Sequence, residues 1–331
     1  MKNLAYVRAT SPTDAVQRSR TLPNYTFIAG GTNLVDRLKV FLEQPDGLID
    51  IARLGLTQIT PTRAGGLRIG ALATNTAVAD HPQIRQQYPL LARAILSGAS
   101  QQIRNRATVG GNLLQRTRCP YYYDLAFGCN KRQPGSGCPA IDGINRMHAI
   151  LGASESCVAV HPSDMSVALA ALAAIVEVES ANGQRQSPFS EFYRLPGTTP
   201  AQETNLAAGD LITAVILPPL AFAQTGVYLK IRDRASYSFA LVSVAAAVDV
   251  VGDRIRDCRL ALGGVAPHPW RSQAAEAFLR GKSVTPAIVQ QAAEIALEGA
   301  KPLAHNGFKV TMANRAIQRA LMISANGGGL A

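Results

Sequence analysis

The sequence predicts an α+β protein with two domains. Its length of 331 residues and its hydrophobic content of 47% are sufficient for more than one core. The first 55 residues have the pattern of a small unit of strands and helices, separated by turns rich in glycine and proline. After residue 224, three strand-like segments precede three helix-like segments, which is typical of an antiparallel sheet covered by helices.

The N-terminal unit is predicted to open with a capped helix. Ser11 or Thr10 is expected to cap it, because a short hydroxyl side chain accepts a hydrogen bond from the free amides of a first turn. A strand over residues 25–28, a helix over 35–43 and a strand over 48–51 follow.

The turn between that first strand and the next helix contains two consecutive glycines, in the run Ala29-Gly30-Gly31-Thr32-Asn33-Leu34. Glycine permits a positive φ and a close approach of the backbone to a ligand. The amides that open the following helix would face an anion. A lone Gly-Gly segment is more often a plain turn, so this segment alone does not predict a binding site.

A second turn repeats the pattern. Residues 59–74 are predicted to form a hairpin and residues 75–104 two helices, which lead into Thr108-Val-Gly110-Gly111-Asn112-Leu113. Two amide-rich turns could hold the two charged groups of a diphosphate. The sequence has no G-x-G-x-x-G fingerprint after a strand and no P-loop lysine, so a dinucleotide here would not be bound in the Rossmann manner.

The later part of the chain is predicted to contain one more helix start and a domain boundary. Ser163 or Asp164 is expected to cap a helix, and the boundary falls near residues 218–224. The remaining predicted strands are 174–180, 209–217, 227–230, 239–250 and 254–264, and the remaining predicted helices are 272–280, 286–300 and 312–323.

Four of the five cysteines lie close together, with 9, 8 and 18 residues between them: Cys119, Cys129, Cys138 and Cys157. Zinc sites generally use shorter intervals, and so do compact ferredoxins. The segment is rich in proline and glycine, so the ligands would be carried on a loop. Its spacing leaves an iron–sulfur cluster, zinc, and disulfides or free thiols open. Cys258 is isolated and is expected to be a buried strand residue.

Composition and motifs exclude several classes of function. The net charge is +11, but most basic residues are spread along the chain, whereas a nucleic-acid-binding protein concentrates them in a stripe. No apolar run reaches the ~18 residues of a membrane span, and the first residues lack an apolar signal core. The five histidines are scattered and form no Ser–His–Asp set, so we expect no catalytic residue of the acid–base or nucleophilic kind.

The ordered set of motifs resembles the FAD-binding medium subunit of the xanthine dehydrogenase / molybdenum hydroxylase family. The likeness extends from Tyr6 to about Arg271. The motifs are the two glycine turns, Ile69-Gly-Ala71, Arg104-Asn105, Pro162-Ser-Asp164, Lys230 with Arg234, Phe239-Ala-Leu-Val-Ser-Val-Ala245 and Leu262-Gly-Gly-Val-Ala266. Most family members lack the cysteine segment. It is similar to the variant of bacterial molybdenum-dependent aldehyde oxidoreductases in which four cysteines bind an extra 4Fe-4S cluster.

The resemblance implies a fold with defined boundaries. Residues 1–220 would form a two-part FAD-binding domain of the PCMH/vanillyl-alcohol-oxidase-like type, with subdomains of about 1–56 and 57–220 and a 4Fe-4S insert at 115–160. Residues 224–326 would form a C-terminal domain like that of the CO dehydrogenase flavoprotein, with a three-stranded antiparallel sheet and helices.

The resemblance also implies which residues bind cofactors. The first turn would cradle the FAD diphosphate, the second would close over it, one acidic residue would hydrogen-bond FAD and a lysine would lie near the flavin ring. The FAD-binding residues are Ile28, Ala29, Gly30, Gly31, Thr32, Asn33, Leu34, Ala107, Thr108, Gly110, Gly111, Asn112, Asp164 and Lys230. The cluster ligands are Cys119, Cys129, Cys138 and Cys157.

By the same resemblance, the chain would work inside a heterotrimer. A large subunit would oxidise the substrate at a molybdenum cofactor, and a small subunit with 2Fe-2S clusters would pass electrons to FAD, which delivers them in pairs to oxygen, NAD or another acceptor. Export with a signal-bearing partner would place the complex in the periplasm, with the cytoplasm as the alternative. A stand-alone FAD-dependent oxidoreductase of the same fold is the alternative function, and a metal-dependent nucleic-acid-binding protein is favoured only by the charge.

Overall fold

Three sheets and the helices between them build the protein, seen here in a computed structural model that describes residues 2–328. The predicted first domain begins at Met1, which lies outside the described residues. The strands are β1 (Ala5–Arg8), β2 (Tyr25–Ile28), β3 (Gly47–Asp50), β4 (Ile59–Pro61), β5 (Leu67–Gly70), β6 (Ile175–Ser180), β7 (Gly183–Pro188), β8 (Leu211–Leu217), β9 (Val227–Ile231), β10 (Val242–Val251), β11 (Arg254–Gly263) and β12 (Trp270–Arg271).

The helices are mostly short in the first two thirds of the chain. They are α1 (Pro12–Thr21), α2 (Leu34–Lys39), α3 (Asn75–Asp80), α4 (Pro82–Gln87), α5 (Pro89–Ser97), α6 (Gln101–Arg104), α7 (Val109–Leu113), α8 (Pro120–Tyr123), α9 (Asp164–Ala171), α10 (Phe189–Phe192), α11 (Gln273–Leu279), α12 (Pro286–Ala296) and α13 (Phe308–Ala325), with a 3-10 turn at Ala223–Thr225.

Each sheet has its own topology. The first is parallel, in the order β1-β3-β2. The second is antiparallel, in the order β4-β5-β8-β6-β7, and its β4–β5 pair is the predicted hairpin. The third is antiparallel, in the order β12-β11-β10-β9. The α+β fold class is confirmed.

Local sequence chemistry explains most element boundaries. Ser11 caps α1 by accepting a hydrogen bond from the Asp14 amide at 3.0 Å, as predicted. The helix predicted over 35–43 ends instead at Lys39, because Phe41 takes a φ of +59° that a helix cannot continue. The two helices predicted over 75–104 are four, because prolines at positions 82 and 89 each begin a new one.

The C-terminal sheet corrects one prediction, since it has four strands within the described residues rather than three. The missing strand, β12, has only two residues and follows Pro269, so it is too short to show an alternating pattern. Cys258 is fully buried on β11, as expected.

The largest core lies between the second sheet and α5 and α9, and it includes Ala245 and Ala261 from the third sheet. A second core fills the space between the third sheet and α11–α13. The sheets on either side of residues 218–224 therefore share packing, while the domain boundaries stay a prediction. Within residues 2–328, no helix combines the length and the apolarity needed to cross a membrane.

Candidate functional site

The two glycine turns touch each other. A Cβ added to Gly30 would lie 1.9 Å from the carbonyl oxygen of Arg106, just before the second turn, so only glycine fits there. Gly31 adopts a φ of +75°, in the left-handed region that favours glycine. The two turns that are similar in sequence are therefore also neighbours in space.

The second turn is held by a cap at one end and a side-chain contact at the other. Thr108 caps α7 by accepting a hydrogen bond from the Gly111 amide at 3.3 Å. The side-chain oxygen of Asn112 accepts a hydrogen bond from the Ser163 hydroxyl at 2.5 Å, which ties this turn to the start of α9. The predicted residues of the two segments thus form one connected unit.

Two adjoining cavities run along this unit. The first, here called the turn cavity, has a volume of about 140 Å³, and the second, the large cleft, has about 400 Å³. Predicted residues on the turn cavity are Ala29, Gly30, Gly31, Thr32, Asn33, Leu34, Thr108, Gly110 and Gly111. Those on the large cleft are Thr32, Asn33, Ala107, Gly111, Asn112, Asp164 and Lys230. Ile28 borders neither cavity and packs beside Leu34 and Leu38.

Buried polar atoms on these walls lack partners, which fits an extended polar ligand such as FAD. Asn33 Nδ2 and Asn75 Oδ1 on the large cleft, and Arg37 Nε on the turn cavity, make no hydrogen bond within residues 2–328. Because nearly all buried polar groups in proteins are paired, such atoms indicate a ligand. Arg37 and Asn75 were not predicted from the sequence, although Arg37 lies one helical turn after the first glycine turn.

A buried ion pair lies on the wall of the large cleft. Asp164 Oδ2 is 2.8 Å from Lys230 Nζ, and Asp164 Oδ1 accepts a hydrogen bond from Tyr228 Oη at 2.6 Å. Ser163, and not Asp164, caps α9, accepting from the Ser166 amide, so the Asp164 carboxylate is free for these contacts. Burial and the neighbouring Asp164 raise the pKa of Tyr228 well above its usual value, so its phenol stays protonated and donates.

The four predicted cysteines line one small pocket, here called the cysteine pocket. None of them forms a disulfide within residues 2–328. A hydrogen bond from Cys157 lowers the pKa of Cys138 to about 7, and burial raises that of Cys119 to about 11. Within residues 2–328, no three His, Cys, Asp or Glu side chains are arranged to hold a single metal ion. The chain thus gathers the four thiols, but not around one point.

Basic and imidazole groups surround the cysteine pocket. Lys131 Nζ is 2.7 Å from Glu203 Oε1, and Glu203 also pairs with Arg116. Arg132 donates to loop carbonyl oxygens, those of Tyr121, Tyr122 and Asp124 among them, so its charge fastens the loop. His148 Nε2 lies 3.1 Å from Cys119 Sγ. This last contact was missed, because His148 lies 29 residues from Cys119 and carries no local signal.

A third cavity of about 140 Å³, here called the middle cavity, connects the two sites. It shares Thr117 and Cys119 with the cysteine pocket. It shares Arg118, Met147 and Asp164 with the large cleft. The cysteine pocket and the large cleft are therefore neighbours that the middle cavity links.

Fold and site together define a flavoprotein, in which two glycine turns border one cavity. Two family descriptions match the chain: "FAD binding domain in molybdopterin dehydrogenase" over residues 2–220, and "CO dehydrogenase flavoprotein C-terminal domain" over residues 227–323. The chain belongs to the family of FAD-binding medium subunits of the molybdenum hydroxylases, and it is an oxidoreductase flavoprotein subunit.

Similar proteins cover nearly the whole chain. It is 49% identical over 322 residues to the aldehyde oxidoreductase FAD-binding subunit PaoB of Escherichia coli, covering 97% of this chain and 98% of that one. It is 30% identical to the glyceraldehyde dehydrogenase medium chain of Sulfolobus acidocaldarius, covering 92% and 90%. Quinoline 2-oxidoreductase from Pseudomonas putida 86 superimposes with a TM-score of 0.76, at 25% identity and 99% coverage of both chains.

Proposed function

We propose that this chain is the electron-transfer subunit of a molybdenum-dependent aldehyde oxidoreductase complex and binds both FAD and a 4Fe-4S cluster. The observation that carries the proposal is the 49% identity, over 97% of the chain, to an aldehyde oxidoreductase FAD-binding subunit. The partners would be a large molybdenum-cofactor subunit and a small 2Fe-2S subunit in a heterotrimer. Electrons from the aldehyde would reach an external acceptor through FAD.

The chain's own part in this function is to bind and orient FAD. The amides of the two glycine turns and Arg37 would face the diphosphate, since they surround the turn cavity. Asn33, Asn75 and the Asp164–Lys230 pair would meet the polar groups of the flavin end in the large cleft. When bound, FAD supplies the redox chemistry, and the protein supplies position and electrostatics.

Four cysteines that are up to 38 residues apart in sequence line one pocket. This arrangement supports the second cofactor. A 4Fe-4S cluster takes one thiolate from each of four cysteines. Those thiolates surround a cube rather than a single ion, which agrees with four thiols that share a pocket but do not converge on a point. Lys131 would offset part of the cluster's negative charge. We favour a structural role, in which the cluster orders the loop.

Purification of the affinity-tagged chain from its own cells tests the proposal. We expect one larger and one smaller partner subunit to co-purify with the chain. The complex should show flavin absorption bands over a broad iron–sulfur shoulder, and only the complex should oxidise an aldehyde. Aldehyde oxidation by the isolated chain would favour the stand-alone FAD enzyme, and a colourless preparation would contradict both.

We further propose that the complex resides in the periplasm, exported with a signal-bearing partner. Fractionation of cells by osmotic shock, followed by detection of the tagged chain, checks this. Recovery with cytoplasmic marker enzymes would reject it.

A further inference from the structure

We propose that Tyr228 is a positioning residue of the large cleft: it clamps one oxygen of Asp164, so that the other oxygen holds the Lys230 ammonium at the cleft wall. Tyr228 lies on neither the large cleft nor the turn cavity, so it would act only through Asp164. The inference rests on FAD binding by this cleft, and not on the identity of the substrate or the partners.

The geometry places the three groups in one buried row. Tyr228 and Lys230 are two residues apart on β9, so their side chains leave the strand on the same face. Both contact Asp164, one at each carboxylate oxygen, at 2.6 and 2.8 Å. Tyr228 is 3% exposed, and the side chains of Lys230 and Asp164 are 4% and 9% exposed.

Burial makes these contacts directional. A carboxylate with only one partner could rotate about its terminal bond, which has a broad torsional profile. With a phenol on Oδ1, rotation would break a charge-assisted hydrogen bond that water cannot replace. Oδ2 is thereby fixed toward Lys230.

The clamp leaves Lys230 one free donor. Its ammonium donates to Asp164 Oδ2 at 2.8 Å and to the carbonyl oxygen of Ser97 at 3.0 Å. A lysine ammonium has three N–H groups, and the third has no acceptor within residues 2–328. Because Lys230 borders the large cleft, this donor is available to an acceptor atom of the flavin end of FAD.

Removal of the Tyr228 hydroxyl tests the clamp, with Tyr88 as a matched control. Tyr88 is also buried, and its hydroxyl donates to the carbonyl oxygen of Pro218 at 3.0 Å, away from both cavities. Tyr228→Phe and Tyr88→Phe each remove one oxygen atom from a buried ring and one hydrogen bond, and the loss should cost more stability at Tyr228, whose acceptor is charged.

The readouts are FAD affinity, from fluorescence titration of the deflavinated full-length chain, and the flavin midpoint potential. We expect Tyr228→Phe to weaken FAD binding about tenfold, a size typical of coupled buried contacts, and to shift the potential downward, because Lys230 is no longer held at the cleft. Tyr88→Phe leaves both at the wild-type value. In an Asp164→Asn background, Tyr228→Phe has no further effect.

Two results would overturn the inference: equal behaviour of the two tyrosine variants, or an undiminished effect of Tyr228→Phe in the Asp164→Asn background. A wild-type chain that binds no FAD would instead reject the cleft assignment itself. These outcomes are distinguishable, because the first two require FAD binding by the wild-type chain and the third denies it.

Discussion

Gly30→Ala is the sharpest test of the turn cavity. The added Cβ would lie 1.9 Å from the carbonyl oxygen of Arg106 and 2.8 Å from its carbonyl carbon, whereas ordinary contacts begin near 3.4 Å. Both obstructing atoms belong to the backbone, so relief requires the two glycine turns to separate. Overpacking of this kind costs about 1–3 kcal/mol. For a domain of roughly 150–250 residues, each kcal/mol of lost stability lowers the midpoint temperature of unfolding by roughly 2–4 °C.

The same change should also weaken FAD binding, because both turns would move at the proposed diphosphate site. We expect FAD affinity to fall at least about tenfold, equivalent to ~1.4 kcal/mol, measured by fluorescence titration beside thermal unfolding. Gly307→Ala is the control, since nothing lies within 4 Å of its Cβ. If Gly30→Ala binds FAD as the wild type does, the contact between the turns does not build the site.

Three further predictions concern the cysteine loop and its surroundings. Cys129→Ser should lose most of the iron bound to the isolated chain, as judged by iron analysis, because it removes one of four proposed thiolate ligands. Glu203→Gln should destabilise the fold by about 1–3 kcal/mol in denaturant unfolding, because it leaves the buried Lys131 ammonium without its carboxylate partner. Burial lowers the pKa of Lys309 from 10.5 to about 7. Above pH 7 the unfolded chain therefore keeps a proton on Lys309 that the folded chain has lost. The free energy of unfolding of the wild type should then rise with pH, relative to that of Lys309→Met, by at most ~1.4 kcal/mol per pH unit.

Each of these has its own control. Cys258→Ser, outside the cysteine pocket, should keep its iron, and equal iron in both variants would argue against the cluster. Asp80→Asn breaks an exposed pair with Arg85 and should cost less than about 1 kcal/mol. A difference between wild type and Lys309→Met that is flat from pH 7 to 10 would show that Lys309 has an ordinary pKa.

The predictable parts of the candidate site are those that depend on sequence motifs of only a few residues. The glycine turns and the helix start at Ser163 depend on backbone chemistry within a few residues, so the sequence was sufficient to predict them. The contact of Gly30 with Arg106 is not local, and only the repeated motif hinted that the turns belong together.

What was missed depends on tertiary packing. Tyr228 reaches Asp164 across 64 positions of the sequence, and His148 reaches Cys119 across 29. A buried tyrosine on a strand is most often core, and nothing in its neighbourhood distinguishes one that contacts a carboxylate. The strand β12 was missed for a different reason, since two residues are too few for a periodic signal.

The cysteine loop, which is the predicted insert at residues 115–160, contributes side chains to the walls of the large cleft. Arg118 and Met147 belong to the segment that carries the cysteines, and both border the large cleft. The Arg118 guanidinium also lies 5.1 Å from the ring centroid of Phe239, another residue of the cleft wall. If the loop binds the proposed cluster, loss of the cluster would therefore disturb the walls of the large cleft. A structural cluster predicts that Cys129→Ser weakens FAD binding, whereas a pure relay predicts unchanged affinity and slower turnover. The shared walls favour the first.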